Sequence, residues 1–530
     1  MWNEPDSVLK HQAIRNELYR RLASIPERGF LELIWAADAL QSDREAEARK
    51  VLGPLYPEDA IRAQPGSPYA IYPWELETLV NEFLAATPPA HSALHPTHKV
   101  GFRRWIDVAT WVNILRNLEN QEYADLCNPK EILRELPKIA ARQFEWQRGF
   151  TNVPNFYRSA FIFGGDACSE FLNANFGTSI NEITLIGFAV YAACQQDPAV
   201  ARTIDLEIVG ANQATLERVL GRICKPLCEL RNLARTERQG WPFTAYRPSV
   251  LRSFPCISLG SKRPVVLSPV PDLILARVTN GIFYDVIGGG GPVRNEVGRR
   301  FEEYCWKYIK GQLPSLTVLR EWRYKVRKQP FDTPDLIVPS GDEVRIAIEC
   351  KATRMTARGR LDDQSSDDRG FNELAKGIYQ VWRFFSHCRQ GATGMRIASD
   401  GLGVILTLDS WLVMGDTLRI ELFKRAGELA DQDSQIADDD RKPVMFCQVT
   451  DLESTLADAD EESFFAATRA AATQDEYKGW LLSNVHSELR GKDEPRARRK
   501  PYPFDDLEAL LPWWRILKDR KGHVELIVPG

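Results

Sequence analysis

Apolar and charged residues alternate along the stretch between Val318 and Lys351, and this pattern predicts three short strands. The predicted strands are Val318–Val326, Pro334–Val338 and Val344–Lys351. The segment Pro339-Ser340-Gly341-Asp342-Glu343 separates the second from the third and is rich in turn-forming residues. Because β-branched residues fill the runs on both sides of it, we expect these two strands to form a hairpin.

Successive side chains of a strand point to opposite faces of its sheet. In the third predicted strand, Ile346, Ile348 and Cys350 therefore share one face, which we expect to face the core. Glu349 and Lys351 share the other face, together with Ala347. A carboxylate and an ammonium group that end an apolar strand are energetically costly unless they have partners, so this pair is a candidate functional site.

Asp335 begins the strand that would pair with the one carrying Glu349, and a hairpin can bring the two carboxylates together. Lys351 lies on the same face as Glu349. Two carboxylates and a lysine that converge in this way form a site for a hard divalent cation and a water molecule.

Helical patterns flank the predicted strands. A helix is expected over Arg294–Lys310, with Gly298 and Glu302 four residues apart on one stripe, where the glycine would let the helix approach closely. Another helix is expected over Phe371–His387, and it is followed by a buried strand, Gly403–Leu408.

The residues before about Leu230 are predicted to be mainly helical, as in Phe102–Leu118. Strand-like runs follow, including Pro264–Leu267 and Leu273–Val278. The glycines Gly288–Gly291 are interpreted as a boundary before a new domain.

After Asp409, a helix is expected over Leu418–Leu429, a strand over Val444–Val449 and one long helix over Glu461–Val485. The predicted domains are therefore a mainly helical N-terminal region (1–290), an α/β domain (291–450) and a helical C-terminal extension (451–530).

The composition is that of an ordinary soluble protein. The chain has 530 residues, of which 44% are hydrophobic and 26% are charged, and its net charge is −4. A nucleic-acid partner would therefore need a local basic surface. The ten cysteines form no regular pattern, and the longest apolar run, Ile183–Cys194, is too short to cross a membrane. We expect a cytoplasmic protein without a membrane partner.

The predicted elements follow one another as a helix with Glu302, three strands, a helix and a strand. This succession resembles that of the PD-(D/E)XK nuclease superfamily, whose restriction-endonuclease-like core has the order α-β-β-β-α-β. The family's signature is matched by Pro334-Asp335 and by Glu349-Cys350-Lys351. Gly298-x-x-Phe301-Glu302 is similar to the carboxylate motif of the first helix. The resemblance covers about Arg294 to Asp409 and implies a mixed sheet flanked by helices.

The second conserved helix of the family is matched by Lys376 and by Gln380-x-x-x-Phe384, although Phe384 replaces the usual tyrosine. The resemblance implies that Mg²⁺, with Mn²⁺ as a substitute, is the cofactor. The implied metal ligands are Asp335, Glu349, Glu302 and the Cys350 backbone carbonyl. Lys351 would hold or deprotonate the attacking water with a pKa lowered by the cation, and Gln380 would fix that water or the backbone.

Basic residues close to the motif could attract the phosphates of a nucleic acid. The candidates are Arg320, Arg323, Lys325, Arg354 and Lys376. The alternative interpretation is that these side chains are ordinary solvated faces of strands and helices.

The resemblance implies a Mg²⁺-dependent endonuclease that cuts DNA, as in bacterial restriction or phage defence. Residues 1–290 would act in sensing, target reading or oligomerisation, with a homo-oligomer or a defence-system partner as the candidate assemblies. Two alternatives stay open: a catalytically silent nucleic-acid-binding module, and a nuclease that acts on RNA. We also expect autoinhibition or a ligand requirement, because a free nuclease needs restraint.

Overall fold

The computed structural model of the chain describes residues 5–86, 104–126, 132–203, 206, 210–241, 243–260, 264–354, 369–409, 416–491 and 499–519. The chain forms two compact units. The first unit comprises Met1–Pro129, Arg142–Gly288 and Glu508–Gly530, and the second comprises Lys130–Ala141 and Gly289–Leu507.

The elements before Gly288 are mainly helices. These are α1 (Pro5–Ala23), α2 (Glu27–Gln41), α3 (Glu45–Ala48), α4 (Pro73–Ala85), α5 (Trp105–Leu126), α6 (Ile132–Arg148), α7 (Val153–Phe163), α8 (Asp166–Phe176), α9 (Ile180–Gln196), α10 (Gln213–Ile223), α11 (Leu227–Arg238), α12 (Asp272–Val278) and α13 (Ile282–Val286). The strands are β1 (Val200–Ala201), β2 (Cys224–Pro226), β3 (Cys256–Leu259) and β4 (Val265–Leu267), which form a sheet in the order β1-β4-β3-β2.

Three glutamates of α4 are buried in the first unit, and each is neutralised by an arginine from another segment. Burial of an unpaired carboxylate is prohibitively costly, so each pair fixes where α4 packs. The ion pairs are Glu75–Arg116, Glu77–Arg252 and Glu82–Arg247.

The elements after Gly288 include both helices and strands. They are α14 (Gly290–Gln312), β5 (Leu319–Arg320), β6 (Arg323–Val326), β7 (Gln329–Asp332), β8 (Leu336–Ser340), β9 (Glu343–Lys351), α15 (Arg369–Arg389), β10 (Arg396–Thr407), α16 (Asp416–Asp431), β11 (Val444–Gln448), α17 (Val449–Asp458), α18 (Glu461–Thr473), α19 (Leu482–Arg490), α20 (Leu507–Leu510) and α21 (Pro512–Asp519).

A five-stranded mixed sheet with the order β11-β10-β9-β8-β5 forms the centre of the second unit. Strands β9, β10 and β11 are parallel, whereas β8 pairs antiparallel with β9 and β5 pairs antiparallel with β8. Both faces of β9 are covered. The Cys350 thiol meets the Cys305 thiol of α14 on one face, and Ala347 lies in a core cluster with Ala375 and Ile378 of α15 on the other.

The structure confirms the coarse architecture expected from the sequence: a multidomain chain with a largely helical N-terminal region and a later mixed sheet flanked by helices. The predicted hairpin is β8–β9, which turns at Gly341 with a φ of 62°. In the part of the chain that the structure describes, no helix is both long and apolar enough to cross a membrane.

The predicted first strand, Val318–Val326, is wrong. Of this predicted strand only the part that forms β5 pairs with β8, and Glu321 and Trp322 then separate β5 from β6. Strand β6 folds back onto β7 instead, across a tight turn where Arg327 has a φ of 56°. Alternation within β6 looks the same whichever strand it pairs with, so the sequence pattern could not reveal the separate hairpin.

Two further predictions of elements are wrong. Leu273–Val278 lies in helix α12 rather than in a strand, because a short and largely buried run shows no periodicity that distinguishes a helix from a strand. The single helix predicted over Glu461–Val485 is interrupted between α18 and α19, where Gly479 has a φ of 84°.

By its contacts, the segment from residue 451 to Leu507 is part of the second unit, and Glu508–Gly530 clusters with the first. The roles assigned to the three predicted domains stay predictions. Most of the polar segment between Thr353 and Gly370 lies outside the described residues.

Candidate active site

The C-terminal end of β9 brings Glu349 and Lys351 together on the face covered by α15. The Nζ atom of Lys351 donates a hydrogen bond to Oε1 of Glu349 at 2.8 Å and another to Oε1 of Gln380 at 3.0 Å. Gln380 comes from α15, so the lysine links the sheet to the helix. The structure therefore joins three of the predicted site residues in one hydrogen-bonded group.

Asp335 immediately precedes β8, and the β8–β9 pairing places it beside the end of β9. Its Oδ2 atom accepts a hydrogen bond from the backbone N–H of Cys350 at 2.6 Å. Burial raises the pKa of Asp335 well above its usual range, and the negative charges of Glu349 and Glu302 add to this rise. The carboxylates therefore lie close enough to repel one another.

Glu302 projects from α14 towards the same group. Burial raises its pKa, and the charges of Glu321 and Glu349 raise it further, whereas Lys351 and Arg320 oppose the rise. Glu321 lies in the break between β5 and β6, and its own pKa is raised by burial and by the charges of Asp332 and Glu349. The site thus includes a fourth carboxylate, Glu321, which the sequence reasoning missed because the expected continuous strand concealed this break.

Gly377 is a second residue that the sequence reasoning missed. A Cβ atom at this position of α15 would lie 3.0 Å from Cε of Lys351 and 3.5 Å from Cγ of Glu349. A larger residue here would therefore require the Lys351 side chain to shift, so the glycine favours this close packing of α15 on the pair. The available signal was a glycine three residues before Gln380 on the helix.

Gly298 does not have the role predicted for it. A Cβ atom there would lie 3.9 Å from Oε1 of Glu302, which is ordinary van der Waals contact. The close approach of helix to site is made by α15 at Gly377, and not by α14 at Gly298.

Burial lowers the pKa of Lys351, but the charge and hydrogen bond of Glu349 and the charge of Asp335 outweigh burial. The net result is a pKa above the ordinary value for lysine. In the protein without a metal ion, the pKa of Lys351 is thus raised, whereas the sequence led us to expect that a bound cation would lower it. The ammonium group therefore keeps its proton and acts as a hydrogen-bond donor.

The donor atoms are compatible with a small, hard cation. Asp335 uses Oδ2 and Glu349 uses Oε1 in the hydrogen bonds described above, and none of those bonds to described residues involves Oδ1 or Oε2. Oxygen donors of this kind suit Mg²⁺, which also retains several water molecules. Within the described residues, however, no three acidic, histidine or cysteine side chains are already arranged as a metal-binding group. Coordination by Glu302 and by the Cys350 carbonyl stays a prediction.

The predicted phosphate-binding residues differ in their surroundings. Arg320 lies over the ring of Trp306, and its charge acts on Glu302. Lys325 and Lys376 are exposed, whereas Arg354 is partly buried. Arg323 forms an ion pair with Asp332, with Nε 2.8 Å from Oδ1, so a neighbouring carboxylate neutralises its charge.

No family model matches the chain, and no curated protein and no solved structure is significantly similar to it. The resemblance to the PD-(D/E)XK superfamily therefore stays a prediction based on motif spacing. Function has to be inferred from the arrangement of the residues themselves.

Proposed function

We propose that this chain is a Mg²⁺-dependent nuclease that hydrolyses phosphodiester bonds of DNA at the end of β9. The observation that carries the proposal is the group formed by Asp335, Glu349, Lys351 and Gln380, in which the lysine donates to both Glu349 and Gln380. The Lys351 and Glu349 side chains are 13% and 6% exposed and α15 packs closely on them at Gly377, which is not the environment of an ordinary surface ion pair.

The order of elements also supports the proposal. Helix α14, the strands β5, β8 and β9, helix α15 and strand β10 follow the α-β-β-β-α-β order of the PD-(D/E)XK core, with the β6–β7 hairpin inserted after β5. In this proposal the fold is restriction-endonuclease-like.

Each residue has a distinct role in the proposed reaction. Asp335 and Glu349 would hold Mg²⁺, which supplies charge to offset that of the phosphate and makes a bound water more acidic. Lys351 would orient the attacking water or a phosphate oxygen by donating a hydrogen bond. Gln380 would fix the position of the lysine, and the backbone N–H of Cys350 would fix that of Asp335.

The test is nicking of supercoiled plasmid by the full-length protein, with Lys351→Ala and Lys424→Ala as variants. Lys424 is an exposed lysine of α16 in an i,i+3 pair with Glu421, so it controls for the loss of a lysine away from the candidate site. Because autoinhibition or a missing ligand is expected to restrain the enzyme, we expect slow cleavage in Mg²⁺ and in Mn²⁺, none in EDTA, and a further loss of about a hundredfold or more in Lys351→Ala only. Metal-dependent cleavage that persists in Lys351→Ala would contradict the assigned site.

The same assay separates the two alternatives. A catalytically silent module would bind the plasmid without nicking it in either metal. A structured RNA cleaved in preference to plasmid DNA would identify an RNA-directed enzyme. A role in bacterial restriction or phage defence, and a need for an activating ligand, are part of the proposal that only the resemblance motivates.

A further inference from the structure

A cavity of about 540 Å³ lies beside β11, the edge strand of the sheet in the second unit. It is bounded by α15, α16, β11 and the segment that follows α18. Its volume is in the range of pockets that hold small ligands. Among the described residues, none of those assigned to the candidate active site lines this cavity, so it is a separate site.

Four of the described lining residues are aromatic. Trp382 and Phe423 stack with ring centroids 6.2 Å apart, and Phe446 meets Phe423 edge to face at 6.0 Å. Trp480 lies at the rim with 45% of its surface exposed, beside Ile420 with 62% exposed. Trp382 is buried, whereas Phe423 and Phe446 are half-buried and Trp480 is exposed, so the ring of Trp480 is the face on which a flat aromatic ligand can stack.

The polar part of the lining is cationic. Arg419, Arg441, Lys442 and Lys478 line the cavity, and none of the described lining residues is acidic. Arg441 and Lys478 have carboxylate partners just outside the lining, in Asp431 and Asp475. Lys442 forms no ion pair with any residue that the structure describes, so its positive charge is available to an anion.

The aromatic rings and the positive charge of Lys442 together indicate which kind of ligand fits this cavity. A purely apolar partner would leave the Lys442 charge without a counter-charge at the site. A simple inorganic anion would make no use of the rings. A ligand with a flat aromatic ring and a phosphate uses both, with the ring on Trp480 and the phosphate near Lys442.

We propose that this cavity binds a nucleoside phosphate, with its base stacked on the aromatic wall and its phosphate held by the cationic rim. A free nucleotide and an unpaired nucleotide of a single strand share this chemistry. The inference stands independently of the proposed nuclease, because it concerns a different set of residues and is measured by binding alone.

The test is isothermal titration of the full-length protein with the four ribonucleoside monophosphates, with adenosine, with inorganic phosphate and with a short single-stranded DNA oligonucleotide. We expect saturable binding of at least one monophosphate, weakened about tenfold or more when either the base or the phosphate is missing. Binding of the oligonucleotide but not of the monophosphates would identify a strand as the source. Absence of saturable binding by monophosphates and oligonucleotide alike would overturn the proposal.

Two variants assign the binding to this cavity. Trp480→Ala should weaken the binding of the preferred ligand about fivefold to a hundredfold, which corresponds to one lost base-stacking contact. Lys442→Gln should weaken binding of the nucleotide but not of the nucleoside. Matched controls are Leu489→Ala, also an exposed apolar residue at 43%, and Lys307→Gln, also a partly exposed lysine at 40%.

Both controls should bind as the wild type does. Trp480 is exposed, so its replacement is expected to leave the fold intact, and the melting temperature of the variant checks this directly. Binding that is unchanged in both Trp480→Ala and Lys442→Gln would overturn the proposal, because the ligand would then lie elsewhere.

Discussion

At the scale of single residues, Gly377 sets the distance between α15 and the candidate active site. We predict that Gly377→Ala lowers plasmid cleavage about tenfold to a hundredfold, because the new methyl group would meet Cε of Lys351 at 3.0 Å and displace it. The free energy of unfolding should change by only about 1 kcal/mol, since alanine favours a helix while the added contact opposes it. Initial cleavage rates and urea unfolding would measure the two effects separately.

Gly427→Ala provides the matched control in α16. A Cβ atom there would have its nearest neighbour 4.0 Å away, at an Nη atom of Arg441, so the position has room for a methyl group. This variant should gain helix stability without any loss of cleavage. Equal cleavage by Gly377→Ala and the wild type would show that the close packing of α15 has no part in catalysis.

At the scale of elements, helix α4 is held by charges rather than by apolar contacts alone. Glu82 and Arg247 have side chains 0% and 1% exposed, and Tyr19 donates a further hydrogen bond to Glu82 at 2.6 Å. We predict that Glu82→Gln lowers the free energy of unfolding by about 3–5 kcal/mol, because it leaves the Arg247 charge buried without a counter-charge. Urea denaturation followed by circular dichroism would measure the loss.

The contrasting variant is Glu17→Gln on α1. Glu17 pairs with Arg20 and Arg21 at the surface, where solvent screens the charges. We expect its replacement to change the free energy of unfolding by less than about 1 kcal/mol. An equally small change for Glu82→Gln would mean that the buried ion pair contributes no more to the free energy of unfolding than a surface ion pair does.

Elements whose periodicity is distinct could be predicted from the sequence. The end of β9 was placed correctly because apolar residues alternate with Glu349 and Lys351, and α15 was placed correctly because its apolar residues recur with helical spacing. Helix α12 was missed because the run Leu273–Val278 is apolar apart from Arg277, which is itself buried, and six residues are too few to show a helical period.

The candidate site was predictable only as far as the local pattern extends. The pairing of Asp335 with the end of β9 follows from a hairpin, which short-range turn residues define. The contributions of Gly377 and Glu321 depend on how closely separate elements approach in three dimensions. Spacing along the chain carries no information about that distance.

At the scale of the whole molecule, a net charge of −4 means that the proposed DNA binding would depend on a few local cations. Lys325 is exposed on β6 and has no ion-pair partner among the described residues. We predict that Lys325→Gln weakens DNA binding and lowers the slope of log K against log salt concentration by about 0.9, the value for one phosphate contact. Fluorescence anisotropy, with Ca²⁺ replacing Mg²⁺ to prevent cleavage, would measure it.

Lys424→Gln removes the same charge from a different surface of the second unit, where the lysine already pairs with Glu421. Its salt slope should equal that of the wild type. An equal slope for Lys325→Gln and the wild type would place the phosphate contacts elsewhere in the protein.

The close packing of α15 on Lys351 also has an entropic consequence. A lysine side chain loses about 2 kcal/mol of rotamer freedom when it becomes fixed. Here the side chain is only 13% exposed, lies against the backbone of Gly377 and donates to two fixed acceptors, so this freedom is lost when the protein folds. The entropic cost of fixing the ammonium group is therefore incurred during folding. Little of that cost would remain to oppose the binding of a substrate.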